Sequence, residues 1–231
     1  MLLVLFGGTI VIGESAEIEL RNGDQSQDRK THILKATTKI LNEKGLQGLS
    51  FESIANEAGL SRQLIRYYFS DLDMLVSELC DYLGNIYREM LVAGIVEVRQ
   101  VERLRFFLDF LFDLTEEYRM PANLEAYDAM VAYAVGSGQV KERLTAQYKT
   151  LGQVIAQELA IAYTELDGPS CDELSFLFVS MMHAHWSFVA SLGFSRQHSR
   201  VTRKAIDRLI ASYIADESQS PRIKSPWSQD N

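Results

Sequence analysis

With 231 residues, 47% of them hydrophobic, the chain can bury a sizeable core, as one large domain or as a small one joined to a medium one. Its 2 cysteines, Cys80 and Cys171, lie in separate segments without CxxC spacing, which excludes a disulfide framework and suits buried thiols in a reduced, cytoplasmic protein. The net charge of −8 excludes a uniformly basic surface, and only 4 prolines with little β-branched alternation exclude a strand-rich fold. Long helical periodicities place the chain in the all-α class.

Residues 1–12, MLLVLFGGTIVI, are apolar but far shorter than the ~20 residues of a membrane span. They also lack the positive n-region of a signal peptide, so no membrane partner is expected. Residues 14–28 are polar and read as flexible. Residues 1–27 are therefore expected to lie outside the fold, as a disordered or non-native N-terminal extension. From Asp28 to Lys44, the residues Ile33, Ala36, Thr37, Ile40 and Leu41 mark one face of a helix, closed by a basic last turn and Gly45.

The stretch FESIANEAGLSRQLIRYYF, residues 51–69, reads as two short helices around a tight turn. Phe51, Ile54, Ala55 and Ala58 recur at helical spacing, Ser50 can cap the first helix, and Gly59 can close it at positive φ. Ser61 can cap the second helix, where Leu64, Ile65 and Tyr68 pack inward and Arg62, Gln63, Arg66 and Tyr67 face out. A short helix with such donors near its start, braced by a crossing helix, is how a helix-turn-helix reaches the DNA major groove. Charge agrees: residues 29–72 hold 7 basic against 4 acidic side chains, a net +3, which leaves −11 for the remainder. A basic head on an acidic body suits local phosphate contact.

The helix ending in NEKG, the stretch LSFESIANEAGLSRQLIRYYF, and the acidic, leucine-bearing helix start after it resemble the TetR/AcrR family of bacterial transcriptional regulators over about residues 29–79. The resemblance implies an all-α chain with a three-helix helix-turn-helix head at 28–72 and a larger helical ligand-binding and dimerisation body at 73–215. It also implies a homodimeric repressor that leaves a pseudo-palindromic, double-stranded DNA operator when a small-molecule effector binds. The residues matched to DNA contact are Ser61, Arg62, Gln63, Arg66, Tyr67 and Tyr68, with Lys44 and Lys30 as phosphate contacts. Two positions depart from the family. Arg66 stands where many members carry a phosphate-contacting Tyr, and it can still bind phosphate or a guanine edge. Leu72 stands where many carry Lys and cannot replace an ammonium.

In the body, residues 71–93 read as a long helix with Leu75, Leu79, Leu83, Ile86 and Met90 along one face, the natural lever between head and body. Residues 98–119 form the next, with Leu104, Phe107, Leu108, Leu111 and Leu114 as its inner stripe. Pro121 is expected to open a helix through 122–135, ended by Gly136-Ser137-Gly138. A helix over 139–163 follows, then a turn at Asp167-Gly168-Pro169-Ser170. Residues 171–192 are apolar on nearly every side, so this helix needs a partner surface beyond its own core. With residues 199–215 it would form a four-helix, two-fold interface between subunits. Residues 216–231 read as a disordered tail.

His183 and His185, at i and i+2, point about 200° apart on a helix and lack a carboxylate at i+3 or i+4. They read as hydrogen-bonded histidines, and no metal is expected. No Gly-rich phosphate loop, nucleophile elbow or paired carboxylates at motif spacing occur, so the chain is not expected to be an enzyme or to need a cofactor. The aromatic residues of the body are mostly core. With the family's ligand cavity in view, Phe107, Phe110, Tyr127, Met130, Tyr148, Met181, His185 and Trp186 are the candidate lining. The competing reading is a helical small-molecule-binding protein or enzyme that has lost DNA binding.

Overall fold

The computed structural model describes residues 14–119, 123–215 and 224–228, with side chains from Gln25 onward. Among these residues the protein has nine α-helices and no strand: α1 (Glu14–Lys44), α2 (Phe51–Ala58), α3 (Arg62–Tyr68), α4 (Leu72–Ile95), α5 (Arg103–Leu111), α6 (Leu124–Tyr133), α7 (Gly138–Ala162), α8 (Gly168–Ala190) and α9 (Ser199–Ala215). No helix among the described residues is long and apolar enough to cross a membrane.

The helix-turn-helix forms because its ends are encoded locally. Ser50 and Ser53 make a reciprocal capping box at the start of α2. Gly59 closes α2 at φ +64°, the left-handed conformation that an L side chain resists. Leu60 N–H then donates to Ala55 O at 3.0 Å, satisfying a carbonyl that the helix end would orphan. Ser61 accepts from Leu64 N–H and starts α3. Ile65, with no exposed surface, seats α3 in the core it shares with Ile33 of α1 and Ile54 of α2.

Several boundaries differ from the sequence expectation. The first helix begins at Glu14, so the stretch expected to be flexible continues α1. Helix formers among residues 14–21 and acidic residues at a helix N-terminus favour that extension even without an apolar stripe. The segment of residues 1–13 lies outside the described residues. The helix expected over 98–119 is shorter: a 3-10 turn precedes it and α5 stops at Leu111. Asp113 takes φ +54°, and the paired bonds Asp113 N–H to Phe110 O and Leu114 N–H to Asp109 O close the helix as a Schellman motif. Helix α6 begins at Leu124, and Pro121 lies outside the described residues. The expected turn at 167–170 is instead the first turn of α8, where Asp167 caps Ser170 N–H and Pro169 needs no donor.

Two apolar cores organise the helices. One joins Ile33, Ile40, Ile54, Ile65 and Phe69 of the head to Leu75, Leu79 and Leu83 of α4, and runs on into Ala126 and Met130 of α6 and Val140 and Leu144 of α7. An expected domain boundary at residue 72 therefore cuts through a continuous core. The other lies among α5, α7, α8 and α9, with Phe107, Phe110, Leu159, Leu174, Phe178, Trp186 and Ile206. The expected disordered tail is also corrected in part: Trp227 belongs to this second core and is only 7% exposed.

Candidate functional site

Helix α3 presents a polar face that the rest of the head holds out to solvent. Arg62, Gln63, Arg66 and Tyr67 are exposed, Tyr67 at 81%, and Ile65 behind them is sealed. Ser61 is spent capping the helix while remaining exposed. Arg66 lies over the Phe51 ring at 5.0 Å, and Arg62 stands 3.9 Å from Glu52, so both guanidinium groups are aimed without being buried. Tyr68 is half-buried and meets Tyr67 edge-on at 5.2 Å. A crevice of about 550 Å³ opens beside these tyrosines, lined also by Gln25, Ser26, Asp28 and Arg29 of α1. Lys44 is exposed at the end of α1.

Lys30 does not join this face. Its ammonium bonds both carboxylate oxygens of Glu78, at 3.0 and 3.1 Å, and lies 5.6 Å from the centre of the Phe69 ring. The partner lies 48 residues away, which is why the sequence alone makes Lys30 look available. Leu72, the first residue of α4, packs partly against the head core. The start of that helix is acidic instead: Asp71 accepts from Met74 N–H at 2.8 Å, and that bond first, then one from Ser70, holds its carboxyl below the usual carboxylate range.

Behind the head, α6 is fastened at three places. Its own Asn123 makes no side-chain cap; Asn42 of α1 supplies one, accepting from Ala126 N–H at 3.0 Å and donating to Asn123 at 3.4 Å. At its other end, Tyr133 donates to Asp73 of α4 at 2.7 Å, and Ser137, the cap of α7, donates to the same carboxylate at 2.8 Å. In the middle, Asp128 accepts from Ser187 and Ser191 at the end of α8. Sequence reasoning missed Asn42, Asp73 and Asp128, since each finds its partner about 60 to 84 positions away.

The candidate ligand residues divide between the two cores. Phe107, Phe110, Met181 and Trp186 belong to the α5–α9 core, whereas Tyr127 and Met130 belong to the core shared with the head. Tyr148 touches both and bonds His183 Nδ1 at 2.9 Å. Burial raises the pKa of Tyr148, Tyr127 and Tyr87, so these phenols stay protonated. Tyr87 and Tyr127 meet edge-on at 5.2 Å, so the seam between the cores is aromatic with polar tips. His183 and His185 turn to different neighbours, His185 bonding Ser199 at 2.9 Å.

Burial, followed by the charges of His198 and Arg196, lowers the pKa of His185 below its ordinary 6.5. The unfolded chain then takes up this proton first. The contribution of His185 to stability is complete above pH 6.5 and declines as pH falls from there toward the depressed native value. Thermal melts between about pH 7.5 and 5.5 are expected to fall less steeply for His185→Gln than for the wild type. Parallel curves would assign the loss to other groups.

A capped helix of exposed donors on a three-helix head, carried by an all-helical body, defines a helix-turn-helix protein of the regulator type. The chain matches, over residues 33–79, the family described as bacterial regulatory proteins, tetR family. It is 41% identical over 112 residues to the HTH-type transcriptional regulator PksA of Bacillus subtilis; the match takes in 47% of this chain and spans about half, 52%, of that relative. Among solved structures, a TetR transcription regulator from Haloarcula marismortui superposes with a TM-score of 0.69 at 20% identity, over 81% of this chain and 98% of its own. A regulator from Saccharomonospora viridis in complex with choline gives 0.67 at 16% identity, over 80% and 96%. These likenesses establish the fold.

Proposed function

We propose that this chain is a homodimeric transcriptional repressor that binds a pseudo-palindromic operator and releases it when a small molecule enters the body. The observation that carries the reading is α3, which is capped by Ser61, anchored by the sealed Ile65, and exposes Arg62, Gln63, Arg66 and Tyr67 together. In a major groove, Arg62 and Gln63 at the start of α3 reach base edges, while Arg66, Tyr67, Tyr68 and Lys44 contact phosphates. Two heads related by the dimer two-fold read two half-sites.

The second subunit packs on the outer face of α8 and α9. There Phe188, Leu192, Phe194 and Val201 are all more than half exposed, with the Phe188 and Phe194 rings 5.4 Å apart, apolar surface that a lone subunit leaves wet. The effector site lies along the aromatic seam at Tyr127, Tyr148 and His183, and the choline-bound regulator of the same fold supports a small-molecule role for such a body. A ligand there acts on α6 and α4, which the Asn42, Asp73 and Asp128 joints tie to the head and to α8. It releases the operator only if it favours the head spacing that DNA rejects; equal affinity for both arrangements shifts nothing.

Selection from a random duplex pool tests the reading. The purified chain is expected to enrich two inverted half-sites, and enrichment of no motif would contradict it. A smaller effect is expected at the departure from the family: Leu72→Lys restores an ammonium at the start of α4, adding about one phosphate contact and steepening the salt dependence of binding by about one unit of slope. An unchanged slope would mean that this helix start does not face the backbone.

A further inference from the structure

Residues 225–228, Ser-Pro-Trp-Ser, fold as a β-turn with Ser228 N–H donating to Ser225 O at 3.0 Å, and proline sits where the turn wants its fixed φ. The turn lays Trp227 across α7 and α8. A Cβ on Gly152 would stand 2.2 Å from the indole, so the ring seats only because that position is glycine. The indole Nε1–H donates to the buried Ser175 at 2.7 Å, and Lys149 Nζ donates to the Ser228 carbonyl at 2.9 Å. A glycine notch, a met indole donor and a held carbonyl make this a specific seat rather than a collapsed tail end.

The seat adjoins the open side of α8. Phe176, 46% exposed, packs against Trp227 with ring centres 5.6 Å apart. It begins an exposed row at i, i+4 spacing through Ser180, Ala184 and Phe188, with Leu192 just past the helix end. We propose that residues 224–228 are a strap that pins α7 to α8 and forms one end of a subunit interface, the partner being a second copy of this chain packed along the α8 row and over the Phe176–Trp227 pair. The proposal rests on the homodimer reading above. Continuity of the strap with the row is its argument: removing the indole both exposes the Gly152 notch and frees the end of α8 that the partner grips.

Sedimentation equilibrium of the full chain tests it, beside Trp227→Ala and Gly152→Ala. The second substitution improves the helix propensity of α7 while expelling the indole, so it separates loss of the strap from loss of the helix. Both variants are expected to weaken the dimer by about tenfold with circular dichroism unchanged, a scale set by losing one buried aromatic anchor. Gly152→Ala should also make the tryptophan fluorescence more open to iodide, because Trp227 leaves its seat. Dimers as tight as wild type in both variants would overturn the strap and leave the homodimer standing. A wild-type chain that is monomeric throughout would overturn the homodimer and the strap with it.

Discussion

Replacing Arg62 and Arg66 together by alanine is expected to weaken DNA binding by at least about a hundredfold while the proposed dimer and the helical fold survive. Both side chains are exposed and neither belongs to the core: Arg66 rests on the Phe51 ring and Arg62 makes a long, exposed pair with Glu52. Exposed pairs of that kind contribute little to stability, so folding is nearly blind to the change. A bidentate arginine contact to a guanine edge is worth about 1–3 kcal/mol of discrimination, and phosphate contacts add a salt-sensitive share. Two such losses multiply to the expected factor. Titration of the double variant by fluorescence anisotropy, with its sedimentation as a control, measures both halves of the statement. Undiminished binding would remove α3 from the interface.

The second large effect falls on stability. Ile65→Ala is expected to cost about 2–5 kcal/mol, the range for truncating a sealed aliphatic side chain that its neighbours cannot fully close over. Ile65 has no exposed surface and shares a core with Ile33, Ile54, Phe69 and Leu75. That core continues into α6 and α7, so the loss is expected in a single urea transition of the whole chain rather than in the melting of a separate head. A cost below about 1 kcal/mol, or an early transition confined to the head, would contradict the shared core. Against a total of about 5–15 kcal/mol for a folded domain, the expected cost threatens folding outright.

The parts legible in the sequence are those whose signals are local. Ser50, Gly59 and Ser61 fix the ends of α2 and α3 within a few residues of each other, and the motif was readable down to its outward-facing side chains. The α9 boundaries were readable from apolar periodicity. What escaped depends on partners far along the chain. Lys30 looks like a free cation until the fold brings Glu78 to it, and Asn42 looks like a surface amide until α6 arrives 84 positions later needing a cap. Trp227 sits in a polar, proline-bearing stretch with no periodicity, and its meaning depends on a glycine in the middle of α7. The start of α1 was misread because propensity, not an apolar stripe, carries its first turns. The eight candidate ligand residues were chosen by type, and type does not say which of two cores a residue enters.

The central claim is that α3 reads a particular DNA sequence, and the most direct measurement is fluorescence anisotropy on a selected duplex at two salt concentrations, with and without nonspecific competitor DNA. The account predicts saturable binding that outlasts excess competitor at both salts, weakened but not abolished at the higher one. Binding that disappears at moderate salt and shows no preference over competitor would reduce the interaction to charge alone and contradict sequence reading by this head.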